Sequence, residues 1–431
     1  MVNQKNKHTI RAARLIPLFL IVLFLSTCTA YETSVRPKNV SSIYNPSDSN
    51  IHPEYFVYHT NDSISQVYFR INTKELQFNA ANKEKVMKAR FRIRYRLYDT
   101  FQSGHITDSA TLIYDVPQAV EQGFYMINFP LKMLSGKINS LELTTTDLLN
   151  YSGNLAFILL DKRSTSSRQN FLIRDPDGFP VFSPYIYPNK QFLIENIRNS
   201  FDSLIIEKYD VSNHAPIPPF SMSKLKNQNI TPDTVWTVKY TSKSQFILSD
   251  KGVYLIKLDS SLNDGLALFQ FGDFYPETKT AQTLLSPLKY LSTNKEFRKL
   301  ERFHEPKNAV DSFWLAASGS MNRSKELIRV YYSRIFYANV YFGHASEGWL
   351  SDRGMIFAVY GPPKTIYKSD NAERWIYGES KNLASMDFYF ERKRNPFSDN
   401  NFILSRQEVY KSSWYQAVDT WRNGRVYSVM N

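Results

Sequence analysis

From residue 54 to residue 272, apolar side chains recur at every second position within short segments; near residue 276 the spacing lengthens to that of a helix. A strand sends alternate side chains to opposite faces, whereas a helix gathers residues three and four apart. The chain is therefore expected to build β layers first and a helix-containing layer last. The clearest strand is Arg90-Phe91-Arg92-Ile93-Arg94-Tyr95-Arg96-Leu97. Phe91, Ile93, Tyr95 and Leu97 fall on one face and Arg90, Arg92, Arg94 and Arg96 on the other. That arginine stripe has two readings: a grip on phosphate or carboxylate groups, or, the favoured one, a solvated strand face paired with acids such as Glu142.

Two β regions are expected, 54–160 and 171–272, joined by the polar bridge 161–168. Short alternating runs rich in β-branched and aromatic residues, separated by turn residues, are the pattern of β-sandwiches. Gly123-Phe124-Tyr125-Met126-Ile127 in the first region is echoed by Gly252-Val253-Tyr254-Leu255-Ile256 in the second. Both are similar to the strand entry that forms a tyrosine corner in immunoglobulin-like sandwiches, so the fold class expected is two tandem all-β, immunoglobulin-like domains followed by an α+β domain. Asp175-Pro176-Asp177-Gly178 offers too few oxygens for calcium and is expected to be a tight turn.

The last region, 276–431, opens with a helical pattern broken by Pro287. Thr293-Asn294-Lys295-Glu296 has capping-box spacing, and 307–317 suggests a short helix. The longest helix is expected from about Arg323 to Phe342, with Leu327, Tyr331, Ile335, Ala338 and Phe342 on one face. It leads to Gly348-Trp349-Leu350-Ser351-Asp352-Arg353-Gly354, then Met355 to Tyr360 and Gly361-Pro362-Pro363. The glycines are expected to permit close backbone approaches, Ser351 or Asp352 to cap exposed N–H groups, and Arg334 to pair with Asp352. Residues 355–360 are apolar on both faces and are expected to form a strand covered on both sides, ended by the prolines. Further strands are expected at 374–377, 387–391 and 402–405.

At the other end, Lys5, Lys7, Arg11 and Arg14 precede the apolar run Leu15 to Leu25, which is shorter than the roughly 20 residues a membrane-spanning helix needs. The pattern is that of an export signal. Leu25-Ser26-Thr27-Cys28 resembles a bacterial lipobox, which implies cleavage after residue 27 and lipidation of Cys28, the chain's one cysteine. Several acyl chains on one residue anchor stably. Residues 28–53 are expected to be a flexible tether. Removal of residues 1–27 leaves 431 − 27 = 404 residues and a net charge of +13 − 4 = +9. An export signal argues against a nucleic-acid partner, so the basic excess points to a solvated surface or to anionic lipid and glycan. With no internal disulfide available, cores must hold the domains together.

Arg329-x-Tyr331-Tyr332-x-Arg334, Asn339, Gly348-Trp349-x-Ser351-Asp352-Arg353-Gly354, Tyr360-Gly361-x-Pro363 and Trp375-x-Tyr377 together resemble the GWxTD domain family, found largely in exported proteins and lipoproteins of Bacteroidota and relatives. Ser351 stands where the family has threonine, keeping the hydroxyl. The resemblance implies an outer-membrane lipoprotein but no particular reaction; the lack of an acidic cluster after Cys28 favours a periplasmic face, with the cell surface as the alternative. The sequence carries no His-Glu-x-x-His, Walker loop, dinucleotide fingerprint or Gly-x-Ser-x-Gly elbow, and nothing in it calls for a metal or cofactor. The expected role is a binding or scaffolding component that meets a protein or glycan partner around Trp349 and Arg353. The alternative is a glycan hydrolase using a carboxylate pair drawn from Glu347, Asp352 and Glu373.

Overall fold

The computed structural model describes residues 38–80, 87–118, 123–197, 201–211, 214–223, 231–379 and 385–428. The expected signal peptide and Cys28 lie outside the described residues. Residues 36–431 form one compact unit.

The first β region contains β1 (Glu54–His59), β2 (Ile64–Asn72), β3 (Asn79–Ala80), β4 (Met87–Tyr98), β5 (Ile106–Pro117), β6 (Phe124–Lys132), β7 (Ile138–Asp147) and β8 (Gly153–Asp161). One sheet has the order β1-β2-β6; the other runs β3-β4-β7-β8 with β5 paired to β4. The alternation read in the sequence faces the two sheets together: Phe91, Ile93, Tyr95 and Leu97 share a core with Val67, Phe69, Phe129 and Leu131. Phe69 stacks on Phe91 at 5.2 Å and Tyr95 on Phe129 at 5.7 Å. The arginines lie on the outer face as expected. Register places Arg90 opposite Asp115 and Arg96 opposite Glu142; Arg90 Nε donates to Asp115 at 2.6 Å, and Arg96 lies 3.6 Å from Glu142. Arg92 and Arg94 are exposed.

The second β region contains β9 (Phe171–Arg174), β10 (Gln191–Asn196), β11 (Ser203–Tyr209), β12 (Thr234–Lys239), β13 (Gln245–Ile247), β14 (Gly252–Lys257) and β15 (Leu266–Gln270). Its sheets are ordered β13-β10-β9 and β12-β11-β14-β15. Asp175 closes the expected tight turn, accepting from Gly178 N at 3.0 Å and from Phe179 N at 2.8 Å. Strands β14 and β15 are buried on both faces. Tyr254, Ile256, Leu266 and Leu268 face the core of their own region. Val253, Leu255, Ala267 and Phe269 face a second core that holds Tyr275 and Phe397 of the last region. The core thus continues across the expected 272–276 boundary.

The last region comprises α1 (Ala281–Leu285), α2 (Asn294–Leu300), α3 (Pro306–Ser318), α4 (Met321–Phe342), α5 (Asp352–Tyr360) and α6 (Tyr410–Arg422), with β16 (Thr365–Lys368), β17 (Ala372–Tyr377), β18 (Met386–Arg392) and β19 (Phe402–Leu404) in sequence order in one antiparallel sheet. Among the described residues, no helix is long and apolar enough to cross a membrane. The chain is therefore β-rich with a C-terminal helical region. A 3-10 stretch follows α1 at Pro287, and Thr293 with Glu296 forms the expected capping box.

Two expectations are corrected here. Residues 355–360 belong to helix α5, not to a strand. All nine residues of α5 are buried, so a helix surrounded by protein shows no polar stripe from which its period can be read. Residues 38–53, expected as part of a flexible tether, are packed in place. Val40 N donates to Ile366 O at 2.9 Å, Asn39 Oδ1 accepts from Ile366 N at 2.9 Å, and Val40 and Tyr44 are buried in the core of the last region. The segment covers the free edge of β16, whose backbone groups would otherwise be unpaired.

Candidate functional site

Helix α4 delivers the chain to a 3-10 turn, Gly348–Leu350, from which α5 starts. The turn lies directly against α4. A Cβ built on Gly348 would stand 2.1 Å from Ala338 O and 2.7 Å from Asn339 Cα, and one on Gly354 would stand 2.0 Å from Gly348 O. Both positions require glycine because backbone touches backbone. Ser351 joins the two ends of the turn: its hydroxyl donates to Gly348 O at 2.7 Å and accepts from Gly354 N at 2.9 Å, an N-cap. Asn339 Oδ1 accepts from Trp349 N at 3.1 Å, and Asn339 Nδ2 donates to Pro276 O at 2.9 Å. Trp349 is buried edge-on to Tyr290, whose hydroxyl donates to Trp349 O at 2.6 Å, and its Nε1 donates to Glu347 at 2.7 Å. Burial pushes the Glu347 carboxyl above its ordinary range, against the pull of that hydrogen bond.

The adjacent Asp352 and Arg353 point into different clusters. Asp352 accepts from Leu404 N at 2.8 Å and from Arg406 at 3.0 and 2.5 Å. Arg406 in turn donates to Ile217 O at 3.1 Å, tying in the proline-rich loop of the second β region. The expected partner, Arg334, is elsewhere: it donates to Val359 O at 3.0 Å and Tyr427 O at 2.9 Å and lies over the Trp421 ring at 5.0 Å. Sequence neighbours on a helix diverge by about 100°, so the partner of Asp352 comes from the β19 side, not from α4. Burial pulls Arg334 down to about 10. Tyr377 donates to Gly361 O at 2.8 Å beside it, and Pro363 is buried after the turn.

Arg353 is wholly buried, as is Glu373. Arg353 donates to Glu373 at 3.2 Å, to Tyr44 Oη at 3.0 Å and to Asn400 O at 2.8 Å. Glu373 also accepts from Lys368, from Tyr44 at 2.9 Å and from Trp375 Nε1 at 3.1 Å. Burial alone would raise the Glu373 carboxyl, but Lys368 and Arg353 hold it down to about 2. It is thus an ionised, fully engaged acceptor. Three cations surround the Phe402 ring: Arg353 at 4.1 Å, Arg392 at 5.0 Å and Lys368 at 5.3 Å.

The structure therefore gathers Asn339, Gly348, Trp349, Ser351 and Gly354 into the turn, Arg353 and Trp375 into the charge cluster, and Arg334, Gly361 and Tyr377 into a third group. The expectation that Trp349 and Arg353 meet a partner at the surface is overturned, since their exposures are 6% and 0%. Glu347, Asp352 and Glu373 each face internal donors and do not converge as a pair on an open cleft. The stripe Arg90, Arg92, Arg94 and Arg96 stands on the first β region, apart from the motif. Sequence reading missed Tyr44, Lys368, Asn400 and Arg406. Of these only Lys368 leaves a local signal, since it sits directly opposite Glu373 across a tight hairpin.

Residues 252–423 match the GWxTD domain family. The match begins at β14, the strand whose outer face enters the C-terminal core. No curated protein matches the chain. Among solved structures, Bacteroides uniformis beta-glucuronidase 2, covalently bound to cyclophellitol-6-carboxylate aziridine, is similar at 11% identity over 32% of this chain and 15% of that one, with a TM-score of 0.18. At that score the likeness carries no argument.

Proposed function

We propose that this chain, a member of the GWxTD domain family, is a lipid-anchored protein of the outer membrane, facing the periplasm, that binds or scaffolds an envelope protein or glycan through its C-terminal region. The observation that carries the reading is the engagement of the motif. Asp352, Arg353 and Glu373 are consumed by internal ion pairs, so the motif acts as a joint that locks α4, α5, the β16–β19 sheet and the segment around Tyr44 into one rigid body. A glycosidase needs two carboxyl groups flanking an accessible bond. Of the candidate acids here, Asp352 and Glu373 are buried and Glu347 is half-buried, and each already holds an internal donor. We read the two β regions as immunoglobulin-like sandwiches spacing this module from the membrane. Supporting that, the Tyr254 hydroxyl donates to Asp250 O at 2.7 Å, a tyrosine-corner bond; for Tyr125, residues 119–122 lie outside the described residues.

The test is crosslinking and pull-down from native envelopes, with Asp352→Asn alongside wild type and glycan hydrolysis measured on both. A specific partner captured by the wild type, without hydrolysis, supports binding. Hydrolysis that disappears in a folded Asp352→Asn protein overturns it. For the anchor, Cys28→Ala is expected to release the protein from membranes; retention would refute lipidation at that residue.

A further inference from the structure

Between the first β region and the C-terminal module lie two adjoining hollows of about 440 and 510 Å³, within the range usual for small-ligand sites. Arg392, Ser140, Leu159, Asp370, Ser398 and Asp399 line both. Arg392 is the residue whose chemistry is incomplete. Its Nε and Nη1 are buried without a hydrogen-bond acceptor among the described residues, and the neighbouring anions are engaged. Glu373 takes Lys368 and Arg353. Asp370 accepts from Ser140 Oγ at 2.6 Å and from Phe101 N at 3.0 Å. Asp399 pairs with Arg168 at 3.6 Å. The charged residues lining the two hollows are Arg163, Arg168, Lys368, Arg392, Lys393 and Arg394 against Asp99, Asp161, Asp264, Asp370 and Asp399, which gives 6 − 5 = +1. Two buried guanidinium nitrogens without acceptors carry a desolvation cost, which an incoming oxyanion would offset.

The rest of the lining narrows the ligand class. Tyr341 and the exposed Val340 present apolar surface, and Ser398 presents a hydroxyl. Apolar surface beside a hydroxyl suits a sugar ring, and an export signal places the protein where acidic glycans occur. We propose that this cleft binds an anionic saccharide, its carboxylate or phosphate received by Arg392, with Lys368 and Arg168 supplying the surrounding positive field. The proposal rests on the binding role inferred above and gives it a ligand class.

The experiment is calorimetric titration of the full chain, in detergent, with glucuronic acid, glucose 6-phosphate, glucose and inorganic phosphate. Saturable binding of either charged sugar, at least tenfold tighter than glucose and than inorganic phosphate, is expected, and which one binds identifies the oxyanion. Arg392→Gln is expected to weaken it at least tenfold, the usual scale for a charge-assisted hydrogen bond. Should that variant unfold by circular dichroism, Asp399→Asn decides instead. Asp399 is exposed, and removing its competing charge is expected to tighten binding severalfold. No saturable binding, equal binding of glucose, phosphate binding as well as the sugars, or indifference to these substitutions overturns the proposal. A partner captured from envelopes while every saccharide fails to bind would refute this site and leave the broader binding role standing.

Discussion

Glu373→Gln is the most direct probe of the joint beneath the motif. The substitution keeps shape and volume but leaves Lys368 and Arg353 facing one another with no carboxylate between them, and converts an acceptor of four donors into an amide that must donate as well. Breaking a buried ion pair by removing one partner costs about 3–5 kcal/mol. The titration of the group gives a second, independent figure. A carboxyl whose ordinary value is 4.5 is held in the fold at about 2, a difference worth on the order of 3 kcal/mol by linkage. The sign follows from the folded value being the lower one. The stabilisation is complete above pH 4.5 and is lost as pH falls from 4.5 towards 2. Against a typical total of 5–15 kcal/mol, the variant should lose a large fraction of its stability. Urea denaturation at pH 7, followed by tryptophan fluorescence, measures this, since Trp375 donates to the same carboxylate. Repeating it from pH 5 to pH 2.5 should show a steep fall in wild type that is flattened in the variant. Adding Lys368→Met to Glu373→Gln should recover part of the loss. A destabilisation below about 1 kcal/mol at pH 7, far under the range for a broken buried pair, would refute the view that this cluster holds the module together.

Further expectations concern the same framework. Gly348→Ala places a methyl group against the α4 backbone and should cost at least about 3 kcal/mol, the upper range for overpacking, measured by thermal unfolding. Ser351→Ala should cost about 0.5–2 kcal/mol through loss of the cap, whereas Ser351→Thr, which keeps the hydroxyl, should unfold within a few degrees of wild type. Tyr44→Phe removes the hydroxyl that donates to Glu373 and accepts from Arg353 and should lower stability by about 1–3 kcal/mol; hydrogen exchange should locate the loosening at residues 38–45 and β16. His59 and His344 are both held near 4, by burial first and then by Lys162 and Arg353 respectively. Their ordinary value is 6.5, so the unfolded chain binds protons first and stability should fall as pH drops from 6.5 to 4; His59→Gln, followed by the same denaturation, should flatten part of that slope.

How much of this was legible beforehand follows from where the physical signal resides. Period-two patterning alone located the β4 face, because one side of that strand meets a core and the other meets water, and the capping box and α4 were readable for the same local reasons. The close approaches at Gly348 and Gly354 and the capping role of Ser351 were legible in kind, since small residues and hydroxyls are needed where a helix turns tightly into another. Helix α5 was not, because burial on every side erases the contrast from which a period is read. The partners of the motif were also out of reach. Asp352 finds Arg406 and Arg353 finds Tyr44 only once α5 is packed against α4 and β19 and the N-terminal segment lies along β16, contacts spanning 54 and 309 residues. Sequence by itself determined the alternating layers, the turn residues and the motif that matches the GWxTD domain, all of which are written in neighbouring side chains. Tertiary structure alone decided which charges meet, which face water and that the motif lies inside, because burial and pairing are properties of the packed chain.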